Sequence, residues 1–440
     1  MSPSPMMTRR LAVGGMIAGG LAAAACASPT TGGATLPSSQ AATTPEALTA
    51  TEALTVGRAG QIYVVQNGRK LLDRGFGTVG SATVAADTLV PWASAVKPTT
   101  CAAFMKLVEA GRVALTDPVV RHIPEFGANG KENVLVLHLL NHSAHLGGYG
   151  GPTNLPSFQE TIARIAAAPR EPARSLGTTG EAPAPGTMPA YNPAGIWILG
   201  EILQRMHGRP FAELIRTEIY EPCGMVDSWN GIPADRLAAY GARANVLAQG
   251  PLALRGGAGG AGGRGAGRAG RGAAGVAGGA DPALIAAFRE RMAERGQVGA
   301  GAGGGAGAGA GRPSAGHSNP AGGGIGPSHD LGRFYQMMLA GGEIGGNRIL
   351  QRETVRAMTT LTLSDGGIWA WGLGFNLNTN GAGAGVQGAQ RFGTKASRNA
   401  FGHAGASGIA AFADPDHQLV VVAIPSGPVL DAIYTDLGIG

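Results

Sequence analysis

Short apolar, β-branched runs stand toward both ends of this chain, and apolar residues at helical spacing fill the middle. Residues 61–66, Gln-Ile-Tyr-Val-Val-Gln, and residues 69–76 flank Asn67-Gly68. That pair accepts positive φ readily, which predicts a hairpin closed by a type I′ turn. Over 94–110, Cys101, Phe104, Met105 and Val108 form a helical stripe, and Gly111 suits its C-terminal cap. Residues from about 120 to 250 carry further helical segments, notably 196–206 and 211–219, divided by Pro/Gly loops, and another helix is predicted over 330–339. The period then changes. Residues 371–377, 408–413 and 418–424 are short, apolar and β-branched or aromatic, with Asp414-Pro415-Asp416 marking a turn. They predict antiparallel strands, with 429–437 as a closing helix. The pattern as a whole predicts a mixed α/β domain. Both ends of the chain build its antiparallel sheet, helices flank it, and a helical lobe is inserted.

Composition changes this picture in two places. Glycine contributes 76 of 440 residues and is concentrated in Gly/Ala runs with scattered arginines at 255–280 and 299–312. Residues 281–295 between them have helical propensity and alternating charge. Such arms bury too little apolar surface to offset ordering entropy, so 255–312 is predicted to be a disordered spacer interrupting a domain that spans 49–440. The formal charge of +6 invites a nucleic-acid reading. Its excess lies in Arg9 and Arg10 and in eight arginines of 255–312 set against Asp281, Glu290 and Glu294. The remainder is nearly neutral and the Gly-rich arms hold no aromatic residue for base stacking, so nucleic acid is not an expected partner.

The first 25 residues carry Arg9-Arg10 before an apolar stretch, 11–25, too short and too rich in Gly and Ala for a membrane span. They read as a twin-arginine export signal. Ala23-Ala24-Ala25-Cys26 has the form of a bacterial lipobox, which makes Cys26 a candidate for lipidation; cleavage elsewhere in the Ala-rich run is the alternative. Residues 26–48 then form a flexible tether. Either route predicts a periplasmic or cell-envelope protein, lipid-anchored if Cys26 is modified. Cys101 and Cys223 lie in apolar settings and read as small buried hydrophobes rather than a disulfide pair. No Cys/His cluster has zinc spacing, and neither a metal nor another cofactor is expected.

The chemistry centres on Ser94-Ala95-Val96-Lys97-Pro98. On a helix, residues i and i+3 share a face, so the lysine amine can approach the serine hydroxyl. A lysine made neutral by burial or by a second cation can accept the serine proton, and the helix N-terminus favours negative charge nearby. Pro98 fits the first turn, where its missing N–H has no intrahelical partner.

Further blocks follow in order. Leu107-Val108-Glu109-Ala110-Gly111, Asp117-Pro118 and Ile123-Pro124-Glu125-Phe126 come first, then Leu139-Leu140-Asn141-His142-Ser143. Tyr191-Asn192-Pro193, the run from 211 to 225, Ala321-Gly322-Gly323 and His403-Ala404-Gly405 come later. Together, over about 55–425, they resemble the serine β-lactamase-related family of class C β-lactamases, D-alanyl-D-alanine carboxypeptidases and family VIII esterases. The resemblance implies a β-lactamase/transpeptidase-like fold, with Ser94 as nucleophile and Lys97 and Tyr191 managing its proton. Pro193 stands where the lactamase pattern has asparagine, and Asn192, one position early, is a candidate substrate contact. His403 stands at the place of a lactamase lysine. Gly405 admits the substrate backbone, and the N–H groups of Ala406 and Ser94 form the oxyanion hole. Tyr149, in Gly147-Gly148-Tyr149-Gly150, reads as a flexible-loop contact to substrate. His142 reads as a structural hydrogen bonder and His145 as a residue lining the entrance.

The expected function is an exported serine hydrolase forming an acyl-enzyme on Ser94, a carboxylesterase of small acyl esters. A β-lactamase or D-Ala-D-Ala carboxypeptidase is the alternative, with a β-lactam or peptide as substrate. The alternative of another class is a non-catalytic lipoprotein that binds envelope peptides.

Overall fold

Eight strands, each antiparallel to its neighbours, make the main sheet of a computed structural model that describes residues 48–149, 157–172, 180–248, 318–364, 370–378 and 392–440. In chain order they are β1 (Gly60–Gln66), β2 (Arg69–Phe76), β3 (Leu363–Ser364), β4 (Ala370–Trp371), β5 (Asn376–Leu377), β6 (Phe401–Ala404), β7 (Ala410–Asp414) and β8 (Leu419–Ile424). Their spatial order is β3-β4-β5-β6-β7-β8-β1-β2. The expected export signal, Cys26, the tether up to residue 47 and the insertion at 255–312 lie outside the described residues.

Both ends of the chain meet in the sheet, as the hydrophobic pattern predicts. β1 pairs with β8 from Gln61↔Ile424 to Gln66↔Leu419. The β1–β2 hairpin turns at Asn67 and Gly68, whose φ values are 50° and 73°. β8 reads Leu-Val-Val-Val-Ala-Ile and is buried throughout, because the sheet is covered on both faces. Ile62, Val64 and Val421 pack under the C-terminal helix Pro428–Asp436, with Leu430, Ile433 and Tyr434. Tyr63, Val65, Val420 and Val422 face the other way, into the main core with Leu331 and Tyr335 of the helix Ser328–Leu339. The period-two alternation along β1 thus divides its side chains between two cores.

Two helices carry the site and are designated α1 (Lys97–Glu109) and α2 (Ala194–His207). They pack against each other. In α1 residues 97–105 and 107 are all buried, so it is a core helix rather than a surface one. It ends at Ala110, with Gly111 at φ 65° beyond it.

Local structure departs from the sequence expectation at three points. The 94–110 segment opens with a tighter 3-10 turn, Ala93–Val96, before α geometry begins at Lys97. The 211–219 helix is α only over Phe211–Ile215 and widens to a π turn at Arg216–Tyr220. The run 371–377 is not one strand. It folds back on itself, with Trp371 opposite Asn376 and Gly374 at φ 88° in the turn. A Cβ on Gly374 would lie 2.5 Å from the Cys101 Sγ, so this turn sits directly on α1.

Candidate active site

Trp92 anchors the candidate nucleophile, Ser94. Its indole Nε1 donates to the Gly326 carbonyl at 3.0 Å and its backbone N–H to the Gly324 carbonyl at 2.9 Å. Glycine is required at both partners, since Cβ atoms there would come within 2.8 Å and 2.6 Å of the indole ring. Ala93 follows with φ 47°, a left-handed conformation that costs a non-glycine residue about 1 kcal/mol or more. That turn delivers Ser94, half-buried, at the start of the 3-10 segment.

Gly405 brings the sheet to the same point. A Cβ there would sit 2.3 Å from the Trp92 carbonyl oxygen, so only glycine lets the end of β6 lie against the residues preceding Ser94. The glycine therefore serves contact within the fold. On β6 only Phe401 and Gly402 pair with β5, so His403 and Ala404 extend past it beside the candidate nucleophile. Ala406 lies in the turn after β6, partly exposed.

Lys97 is 1% exposed. Burial holds its ammonium well below the usual lysine range, at about 7, with Cys101 acting weakly in the opposite sense. Nζ donates to the Ala321 carbonyl at 2.5 Å and lies 5.1 Å from the centre of the Tyr191 ring. Tyr191 Oη donates to Ser94 Oγ at 2.8 Å. Ser94, Lys97 and Tyr191 thus converge. A lysine with a substantial neutral fraction at pH 7 and a phenol bonded to the serine make a nucleophile with two groups able to carry its proton.

The Tyr191 ring is held by aromatic neighbours. Trp371 stacks on it at 6.0 Å between centroids and 12° between planes, and His142 lies 5.0 Å away. His142 and Trp371 are themselves 4.3 Å apart. His142, at φ 57°, ties the Tyr191 loop down through Nδ1 to the Asn192 carbonyl at 3.0 Å and through its own carbonyl to Ala190 N–H at 2.8 Å. Its structural reading holds. His403 is buried, 5.9 Å from Tyr191 and 6.0 Å from Trp371 between ring centroids, with Nδ1 at 2.6 Å from the Ala404 carbonyl.

Three candidates take different parts. Asn192 is committed at both ends of its amide: Nδ2 donates to the Leu146 carbonyl at 2.5 Å, and Oδ1 accepts from Ala194 N–H at 2.8 Å. It ties the first residue of α2 to the 141–149 loop, which corrects its reading as a substrate contact. His145 does not line an entrance. It is buried, its Nε2 lies 3.0 Å from the Met188 carbonyl, and desolvation lowers its pKa to about 4. Tyr149 is half-buried, and the backbone before it packs closely, since Cβ atoms on Gly147 and Gly148 would strike the Pro169 and Arg164 carbonyls at 2.5 Å and 2.4 Å. Burial and the neighbouring Tyr191 push the Tyr149 phenol up to about 12, against the side chains of Trp197 and Asn319.

Trp371 and the Ala321 carbonyl belong to the site without having been read as site residues. Trp371 was legible only as part of a strand, and a main-chain acceptor leaves no side-chain signature. Among the described residues, no group of three His, Cys, Asp or Glu is placed to hold a metal ion.

The family model described as Beta-lactamase matches residues 50–432. The chain is 32% identical over 161 residues to Esterase EstB of Burkholderia gladioli, covering 32% of this chain and 38% of that protein. It is 25% identical over 284 residues to Esterase/beta-lactamase LipL of Mycobacterium tuberculosis, covering 61% of this chain and 57% of that protein. The chain therefore spans well under two thirds of the length of either curated relative. A solved family VIII carboxylesterase superposes with a TM-score of 0.58 at 20% identity, over 88% of this chain and 96% of its own, a likeness of fold.

Proposed function

Because the chain belongs to the beta-lactamase family, we propose that it is a serine hydrolase that hydrolyses small acyl esters through an acyl-enzyme on Ser94. The observation that carries this reading is the Tyr191 Oη to Ser94 Oγ hydrogen bond of 2.8 Å beside a buried Lys97 whose pKa is lowered to about 7. Ser94 Oγ attacks the carbonyl carbon as its proton passes to neutral Lys97 or, through Tyr191, toward the leaving oxygen. The tetrahedral oxyanion is held by the N–H groups of Ser94 and Ala406. Ser94 lies in the first turn of the 3-10 segment Ala93–Val96, where N–H groups have no intrahelical partner. Tyr191 protonates the departing alkoxide, and water then attacks the ester intermediate with the same groups working in reverse.

Esters are favoured over β-lactams by the Asn192 and Pro193 arrangement. No side-chain amide supplies the lactamase contact, since Pro193 carries none and the Asn192 amide is engaged with Leu146 and Ala194. EstB and LipL are both named as esterases, and LipL also as a β-lactamase, which supports the ester reading and keeps the lactam one as the second. Arg9-Arg10 and the Ala-rich run before Cys26 support export to the cell envelope, with lipidation of Cys26 as a tether.

The test is a panel of short p-nitrophenyl esters beside a chromogenic cephalosporin, with wild type and Ser94→Ala. Ester kcat/KM well above cephalosporin kcat/KM, both lost in Ser94→Ala, is the expected result. The reverse ratio favours the lactamase or peptidase reading. Failure of a fluorophosphonate to label Ser94 in intact mass leaves a non-catalytic binding protein.

A further inference from the structure

Two successive carbonyls of one turn are docked onto α1. Lys97 Nζ donates to Ala321 O at 2.5 Å, and Thr100 Oγ1, one helical turn along, donates to Pro320 O at 2.8 Å. From the far side Asn230 grips the same turn reciprocally. Its Oδ1 accepts from Asn319 N–H at 2.7 Å, and its Nδ2 donates to Asn319 O at 2.9 Å. Asn319 Oδ1 in turn accepts from Ala321 N–H at 2.9 Å, fixing the peptide whose carbonyl meets Thr100, and Asn319 O accepts from Gly322 N–H at 3.2 Å, fixing the peptide whose carbonyl meets the lysine. Thr100, Asn230 and Asn319 are all buried. Asn230 is itself held in a three-stranded ribbon by pairing opposite Gly324.

We propose that Thr100 and Asn230 are positioning residues for Lys97, clamping residues 319–321 so that the Ala321 carbonyl fixes the amine beside Ser94 and sets its basicity. The inference rests on the reading of Lys97 as the group that activates Ser94. A carbonyl acceptor stabilises an ammonium more than a neutral amine, so it opposes the desolvation that depresses Lys97. Loosening the clamp withdraws that support. The amine then loses its proton at still lower pH and is also less well placed.

The experiment uses the full chain and follows the rate of fluorophosphonate labelling at Ser94 between pH 5 and 9. This reports nucleophile activation whatever the natural substrate. Thr100→Val is nearly isosteric and removes only the hydroxyl bond, Thr100→Ser keeps it, and Asn230→Leu is close in volume, adds no charge and removes both bonds to Asn319. Thr100→Val and Asn230→Leu are expected to lower the plateau rate by roughly 3- to 10-fold, as for loss of buried hydrogen bonding, and to displace the acid limb to lower pH. Thr100→Ser should restore both. A lower plateau with an unmoved limb would mean a merely structural contact and overturn the proposal, as would wild-type behaviour in either folded variant. If Thr100→Val does not fold, Asn230→Leu decides by the same two criteria. Absence of labelling in the wild type would instead sink the hydrolase reading.

Discussion

Tyr191 Oη donates to Ser94 Oγ across 2.8 Å, joining residues 97 positions apart in the chain. Two separate segments make that contact. Ser94 is delivered by the left-handed turn at Ala93, and Tyr191 by a loop that His142 and Asn192 tie down at the start of α2. Removing either oxygen separates their parts. Ser94→Ala should lower ester kcat/KM by roughly 10³-fold or more and abolish fluorophosphonate labelling. Tyr191→Phe should lose roughly 10²- to 10⁴-fold while still acylating slowly. Intact mass after labelling distinguishes them, and retained acylation in Ser94→Ala would assign the nucleophile elsewhere.

Activity should rise with pH through about 7, the value to which burial lowers Lys97, because the amine accepts the serine proton only when neutral. The same shift has a stability consequence of definite sign. An unfolded lysine holds its proton up to about 10.5, the folded one only to about 7, so between these values the unfolded state binds more protons. Stability therefore rises with pH across that window and carries the full penalty below it. Lys97→Met should be inactive yet more stable at neutral pH by roughly 2–4 kcal/mol, after allowing for the orphaned Ala321 carbonyl. Denaturant unfolding at pH 7 and 9 should show the wild type closing part of that gap. A constant gap would mean that Lys97 is not buried in neutral form.

Trp371 stacks on the Tyr191 ring and also touches His142, so its loss should disturb catalysis through Tyr191. Trp371→Phe should retain activity within about tenfold. Trp371→Leu should lose about 10- to 100-fold in kcat with little change in KM, the scale expected when a catalytic group is misplaced by about an ångström. Equal behaviour of the two folded variants would reduce Trp371 to core packing.

Gly405→Ala places a methyl 2.3 Å from the Trp92 carbonyl, a contact only backbone movement can relieve. A cost of about 1–3 kcal/mol in stability is expected, with a fall in kcat as the β6 end and Ala406 move away from Ser94. Thermal unfolding and ester kinetics on the same preparation check both. Undiminished activity at wild-type stability would show that the strand end has room.

The short-range signals of the chain determined its elements. Asn67-Gly68 fixed the hairpin, the buried run at 419–424 fixed a central strand, and Ser94 to Lys97 spacing brought nucleophile and amine to one turn. Those signals depend on dihedral preference and periodicity, which neighbouring residues set by themselves. Tertiary structure decided what each polar group faces. Asn192 is one position from the lactamase pattern and looked able to reach substrate, but its amide is consumed by Leu146 and Ala194. Gly147 and Gly148 gave no sign in the sequence that carbonyls of a neighbouring segment approach them. Trp371 read only as part of a strand, and the Ala321 carbonyl left no trace in the side chains, yet one stacks on the phenol and the other holds the lysine. Hydrogen-bond partners and close approaches are settled between segments far apart in sequence, where no local preference operates; only the packed fold assigns them.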